Sequence, residues 1–292
     1  MKRILTLAAL AAITLAASAQ DLQKATELAK QANEALMNSD FKTAIDNFTA
    51  AAGEAAQCTE EEAAALMASC KTGIAQANYS LANNLISDGK LEEAIAQLET
   101  TVKASAEADE QELIQKSEEK TLQLHKAIAN AKIKAASAEA DAAAKAAAYK
   151  DAIAHLDAVL AKEAEDGKVF IQKGQVLGAM GDKAAAVESF LKAKELGEDK
   201  AADKQLSTIF LKEASAKLKA KDLKGAIDAA MKSNEYLESA NAYKIAGTAA
   251  NSLKDIASAE KYLSKYLELA PNAKDAAQIK AAVAALQAAL SK

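Results

Sequence analysis

Apolar positions along this chain fall into a recurring phrase. A short turn is followed by alanine with isoleucine or valine, and a large or apolar residue stands three places further on. The phrase is Asp40-Phe41-Lys42-Thr43-Ala44-Ile45-Asp46-Asn47-Phe48 at its first occurrence. It returns around Ala94-Ile95 with Leu98, Ala152-Ile153 with Leu156, Ala186-Val187 with Phe190, Ala226-Ile227 and, more loosely, Ala259 with Leu263. Apolar residues three and four places apart share one face of a helix, so each phrase predicts an amphipathic helix entered from a turn. The six marker alanines, 44, 94, 152, 186, 226 and 259, are spaced by 50, 58, 34, 40 and 33 residues. A recurrence of this period is the mark of a helical repeat array.

The stretches between the phrases predict the partner helices. Neither glycine nor proline occurs between Gly89 and Gly167, so the sequence from Ser105 to Tyr149 reads as one helix of more than thirty residues, with a break near Ser137. Thr59 to Ile86 reads as a second long helix, with Thr59 and Glu62 in capping-box spacing. After Pro271, the residues Ile279, Val283, Leu286 and Leu290 form one apolar stripe, which predicts a terminal helix that closes the array. The leucines and isoleucines of the long segments hold no heptad, which argues against a coiled coil.

The residues at the marker positions resemble the tetratricopeptide repeat, a pair of antiparallel helices. From Gly167 to Lys200 the match runs through Phe170, Gly174, Leu177, Gly181, Ala186, Phe190 and Ala193. From Ala240 to Ala273 it runs through Tyr243, Gly247, Ala259, Leu263 and Pro271. Between them Phe210 and Ala226 match, but Ala214 replaces the first-helix glycine and Lys221 the turn glycine; the earlier units match only in their second helices. The resemblance implies an all-α fold, a right-handed α-α superhelix of stacked antiparallel helix pairs. First helices would be lengthened in the N-terminal half, and a capping helix would end the chain. The domain expectation is a signal peptide over 1–19, a repeat array of about six helix pairs over 20–272, and the capping helix over 273–292.

The resemblance also implies a function: binding of protein or peptide along the concave face formed by first helices. Carried onto this chain, the contact places are Lys168, Ile171, Gln175, Thr208, Leu211, Ser215, Asn241, Lys244, Thr248 and Asn251. This lining, polar with two lysines and two aliphatics, suits an extended peptide held through amide side chains. Lys244 and Asn251 hint at a grip on a terminal carboxylate.

The chain start adds a compartment. Lys2 and Arg3 precede an apolar run from Ile4 to Ala17, and Ala17-Ser18-Ala19 offers the small residues that signal peptidase accepts, with cleavage before Gln20. The run is shorter than the roughly 20 residues a membrane span needs, so a retained anchor is the weaker reading. No cysteine follows closely, which argues against lipidation, and the expected destination is the periplasm, with secretion into the medium less favoured. Without its leader the chain would carry 34 basic against 41 acidic residues. That mild, evenly spread acidity excludes a nucleic-acid partner, which needs clustered lysine and arginine.

Chemistry is scarce. His125 and His155 stand alone, outside any metal-ligand spacing, and read as solvated or packed residues. Glycines 174, 178 and 181 lie in a helical unit with no preceding strand and cannot form a phosphate loop. Adjacent acidic pairs such as Glu92-Glu93 point to different sides of a helix. Cys58 and Cys70 are separated by ~16 Å along the axis of a helix starting at Thr59, beyond disulfide reach, and read as packing residues. The sequence therefore predicts no catalytic residues, no metal and no cofactor, and a scaffold or adaptor rather than an enzyme. Two other classes compete with it: a structural or self-assembling envelope component, which would be a homo-oligomer, and a small-molecule carrier. The carrier is disfavoured by 4% aromatics and no tryptophan.

Overall fold

A computed structural model describes residues 2–59 and 61–291, with side chains from Gln20 onward. The side chains of the expected leader lie outside the described residues. Among the described residues there are thirteen α-helices and no strand: α1 (Lys2–Met37), α2 (Phe41–Ala55), α3 (Glu61–Ser87), α4 (Leu91–Glu107), α5 (Gln111–Ala138), α6 (Ala142–Leu160), α7 (Gly167–Met180), α8 (Lys183–Glu195), α9 (Asp199–Lys219), α10 (Leu223–Tyr236), α11 (Ala240–Ser252), α12 (Ile256–Leu269) and α13 (Ala276–Leu290). No helix among them is long and apolar enough to cross a membrane.

The fold is all-α, built from helix hairpins, and the first helices are lengthened in the N-terminal half. α3 runs for 27 residues and α5 for 28. The segment expected as one helix from Ser105 to Tyr149 is interrupted twice. Asp109 takes a left-handed φ of 58° between α4 and α5, and Glu139 to Asp141 separate α5 from α6. The second break is the one expected near Ser137. The first was hidden because aspartate, not glycine, supplies the turn.

The chain forms two compact units, 1–130 and 131–292, divided within α5. In the first, α1 packs on α2, α2 on α3 and α3 on α4, and α1 also touches α3. In the second, consecutive helices from α6 to α13 pack in sequence, and α9 touches both α7 and α11. In each unit, first helices therefore meet first helices across successive hairpins, which leaves them side by side on one face.

One turn recurs between paired helices. After α1, α3, α7, α9 and α11 a residue takes a left-handed φ: Ser39 at 60°, Gly89 at 74°, Gly181 at 88°, Lys221 at 63° and Lys254 at 60°. The following amide reaches back to a carbonyl five residues earlier, as Asp40 N–H to Ala35 O, Lys90 to Leu85, Asp182 to Leu177, Asp222 to Lys217 and Asp255 to Ala250, at 2.9–3.0 Å. This is the Schellman closure of a helix C-terminus. In four of the five the next residue is an aspartate that caps the second helix. Asp40, Asp182, Asp222 and Asp255 accept from the amides of Thr43, Ala185, Gly225 and Ser258. One residue thus ends one helix and starts the next.

Packing relies on small residues. More than half of the buried apolar side chains are alanines, so the helices approach closely, and three of the larger side chains seat against a glycine. A Cβ at Gly174 would lie 2.6 Å from the Phe190 ring, one at Gly247 2.6 Å from Leu263, and one at Gly73 2.7 Å from Phe48. Phe190, 1% exposed, centres the cluster of Ala186, Ala193, Ala202 and Leu206. Between α9 and α10 the buried hydroxyls of Ser207 and Ser233 bond to each other at 2.9 Å, and Phe210 stacks on Tyr236 with ring centroids 5.8 Å apart. Cys58 and Cys70 belong to different apolar clusters, Cys58 beside Ala25, Ala55 and Ala63, Cys70 beside Phe48. α13 packs on α12, with Val283 buried, Ile279 and Leu286 half-buried and Leu290 51% exposed.

Candidate functional site

The contact between α9 and α11 leaves a groove between two first helices. Residues at helical spacing on α9 (Leu211, Lys212, Ser215, Leu218) face Asn241, Lys244, Ile245 and Thr248 on α11, around a volume of about 520 Å³. Small side chains explain the opening. Ala214 and Ala246 are fully buried beneath it, so the helix backbones pack through alanine while longer residues stand aside on either rim. Leu211 and Ile245 are half-buried against the cluster below and give the groove an apolar floor. Ser215, Asn241 and Thr248 supply hydroxyls and an amide.

Two lysines flank it and are not equivalent. Lys212 is exposed and pairs with no carboxylate among the described residues. Lys244 is committed. Its ammonium is 2.5 Å from Asp275, in the segment leading into α13, and lies 5.7 Å from the centre of the Tyr266 ring. The Tyr266 hydroxyl donates to the same carboxylate. Hydrogen bonds from Lys244 and then from Tyr266 hold the Asp275 carboxyl below its ordinary range. Reciprocally, the bond to Asp275, then burial, then the carboxylate charge push the Tyr266 hydroxyl up. This triad ties α11 and α12 to the start of α13 and satisfies the charge that the sequence marked for a ligand carboxylate.

Of the ten residues carried over from the resemblance, Leu211, Ser215, Asn241, Lys244 and Thr248 line this groove. The other five lie elsewhere. Lys168 and Gln175 are exposed on α7, and Ile171 packs against the Phe190 cluster. Thr208 is exposed and donates to the Lys204 carbonyl, and Asn251 is exposed in the last turn of α11. The sequence reading missed Lys212, Leu218 and Ile245. The signal was present, because Leu218 continues the row of Leu211 and Ser215, and Ile245 that of Asn241 and Thr248, at steps of three and four.

A second, wider depression of about 860 Å³ lies among α6, α7 and α8, floored by Ile153, Phe170, Leu177 and Val187. A Lys173–Asp157 ion pair of 2.6 Å crosses it, joining α7 to α6. His125 and His155 are half-buried on α5 and α6, and among the described residues no group of three or more histidines, cysteines or carboxylates could hold a metal ion.

Neither a family model nor a curated protein matches the chain. Solved structures do. The chain is similar to tetratricopeptide repeat proteins. Part of a TPR repeat-containing protein from Cytophaga hutchinsonii matches at 17% identity over 86% of this chain and 98% of that one, with a TM-score of 0.37. YrrB, described as a TPR protein with an unusual peptide-binding site, matches at 20% identity over 70% of this chain and 91% of its own, with a TM-score of 0.34. PilW, a type IV pilus biogenesis factor, matches at 14% identity over 70% of this chain and 98% of its own, also at 0.34. Likeness at this level says nothing of function. The assignment of the helix pairs rests on the chain's own markers, Gly174 under Phe190 and Gly247 under Leu263.

Proposed function

We propose that the chain is an exported protein-binding scaffold that holds an extended segment of a partner in the α9–α11 groove. The observation that supports this is the composition of the groove. Leu211, Leu218 and Ile245 offer an apolar slot, Asn241, Ser215 and Thr248 offer partners for a peptide backbone, and Lys212 offers an uncommitted positive charge. An extended segment with an aliphatic side chain, followed by an acidic residue or a terminal carboxylate, meets each of these groups. Lys212 takes the part that sequence alone gave to Lys244.

Export is the compartment that the N-terminal sequence favours, with cleavage before Gln20 and release into the periplasm. The self-assembling alternative is decided by the same experiment as the binding role. Tagged mature protein is used to capture partners from the envelope fraction of its source, beside a Thr248→Trp variant that fills the groove and an Asp228→Trp variant on the exposed side of α10. A partner retained by the native protein and by Asp228→Trp but lost with Thr248→Trp supports the reading. Equal retention by all three, or recovery of the protein alone, overturns it.

A further inference from the structure

We infer that Gln20 becomes a pyroglutamyl residue once the leader is removed, an inference that rests on the export reading above. Packed side chains follow it closely. Leu22 is half-buried, Ala25 is fully buried in a cluster with Ala55 and Ala63, and Lys24 pairs with Glu54 at 2.5 Å. Gln20 itself is exposed, and no hydrogen bond among the described residues engages its side chain. Cleavage before Gln20 therefore keeps every one of these contacts. It creates an α-amino group on the same residue as an unengaged side-chain amide, at what becomes the start of the shortened α1.

The chemistry needs nothing further. The α-amino nitrogen attacks the Cδ carbonyl of its own side chain, the N–Cδ bond forms and the Cδ–Nε2 bond breaks. Nε2 leaves as ammonia, taking with it a proton from the attacking amine, and the product is a five-membered lactam. No oxidant, reductant or second reactant enters. Both groups belong to one residue, so the step gains the advantage of an intramolecular reaction.

Helix physics favours the product. A charged α-ammonium at the start of α1 sits at the positive end of the helix dipole, and the lactam removes that charge while the Asp21 carboxylate beside it remains well placed. The ring costs no helical hydrogen bond, because the first amides of a helix have no intrahelical acceptor, the same reason proline is accepted there. The mature chain then carries no free α-amino group and is closed to aminopeptidases.

The test is intact-mass and N-terminal peptide analysis of the full chain expressed with its leader in a bacterial host, after release and incubation at neutral pH. The expected species is residues 20–292 short of one ammonia, with an N-terminus that amine-reactive reagents do not label. Gln20→Ala is cleaved at the same bond, keeps its full mass and is labelled. A native chain that starts at Gln20 and still carries a labelled amine after incubation overturns this inference and leaves the leader reading standing. A chain that starts anywhere else, or that keeps residues 1–19, overturns the leader reading and this inference with it.

Discussion

Gly174 and Phe190 lie on paired helices, and the absence of a side chain on one makes the site of the other. A Cβ at Gly174 would meet three ring carbons of Phe190 within 3 Å, and the ring, 1% exposed, has nowhere to move. In a core made largely of alanine, the few large side chains carry most of the area removed from water, at roughly 25 cal/mol per Å². Phe190→Ala is expected to cost about 3–5 kcal/mol in chemical denaturation. Gly174→Val is expected to cost about 1–3 kcal/mol by overpacking, and less in a Phe190→Leu background, because the two substitutions act on one space. A second residue-scale expectation concerns acid. The Asp275 carboxyl is held low by Lys244 and Tyr266, so its contribution to stability is fully present above the ordinary aspartate value of about 3.9 and is lost as pH falls through its lower folded value. Asp275→Asn should lower the melting temperature at neutral pH, and the gap from the native protein should close on acidification; a gap that is constant with pH would place the effect in packing.

Among the elements, the hairpin turn explains both the success and the misses of sequence reading. The phrases that open with Asp40, Asp182, Asp222 and Asp255 were legible as turns, and the helices that follow them begin there. The resemblance put Lys221 in the place of the turn glycine, but it was not legible that these aspartates are caps, or that Ser39 and Lys254 take the left-handed geometry that glycine takes at 89 and 181. Their side chains give no sign of it. The five-residue backbone bond and the cap on either side hold the conformation regardless. The same blindness ran the last residues of α4 into the long helix expected from Ser105, where Asp109 makes the turn. Two outcomes follow. Asp222→Ala should cost about 0.5–2 kcal/mol through the lost cap on α10. Lys221→Gly should gain about 0.5–1 kcal/mol, because glycine takes a positive φ without steric cost. Thermal and denaturant unfolding of the two variants check both signs, and a destabilising Lys221→Gly would mean that the turn is not held as described.

For the molecule as a whole, the groove was half legible. Helical spacing and the family resemblance brought Leu211, Ser215, Asn241, Lys244 and Thr248 to one opening. They also proposed residues on α7 that the groove does not use, because the spacing within a helix says nothing of which neighbour stands opposite. The ion pair of Lys244 with Asp275 was invisible for the same reason, since its partner lies 31 residues away, beyond α12. The central claim is that a partner lies between α9 and α11. A photo-crosslinking amino acid placed at Thr248, with a second placed at Asp228 on the exposed side of α10, tests it in intact cells. The account predicts an adduct with a protein other than the chain itself at Thr248 and none at Asp228. Adducts of equal yield at both positions, or adducts only with another copy of the chain, would contradict it.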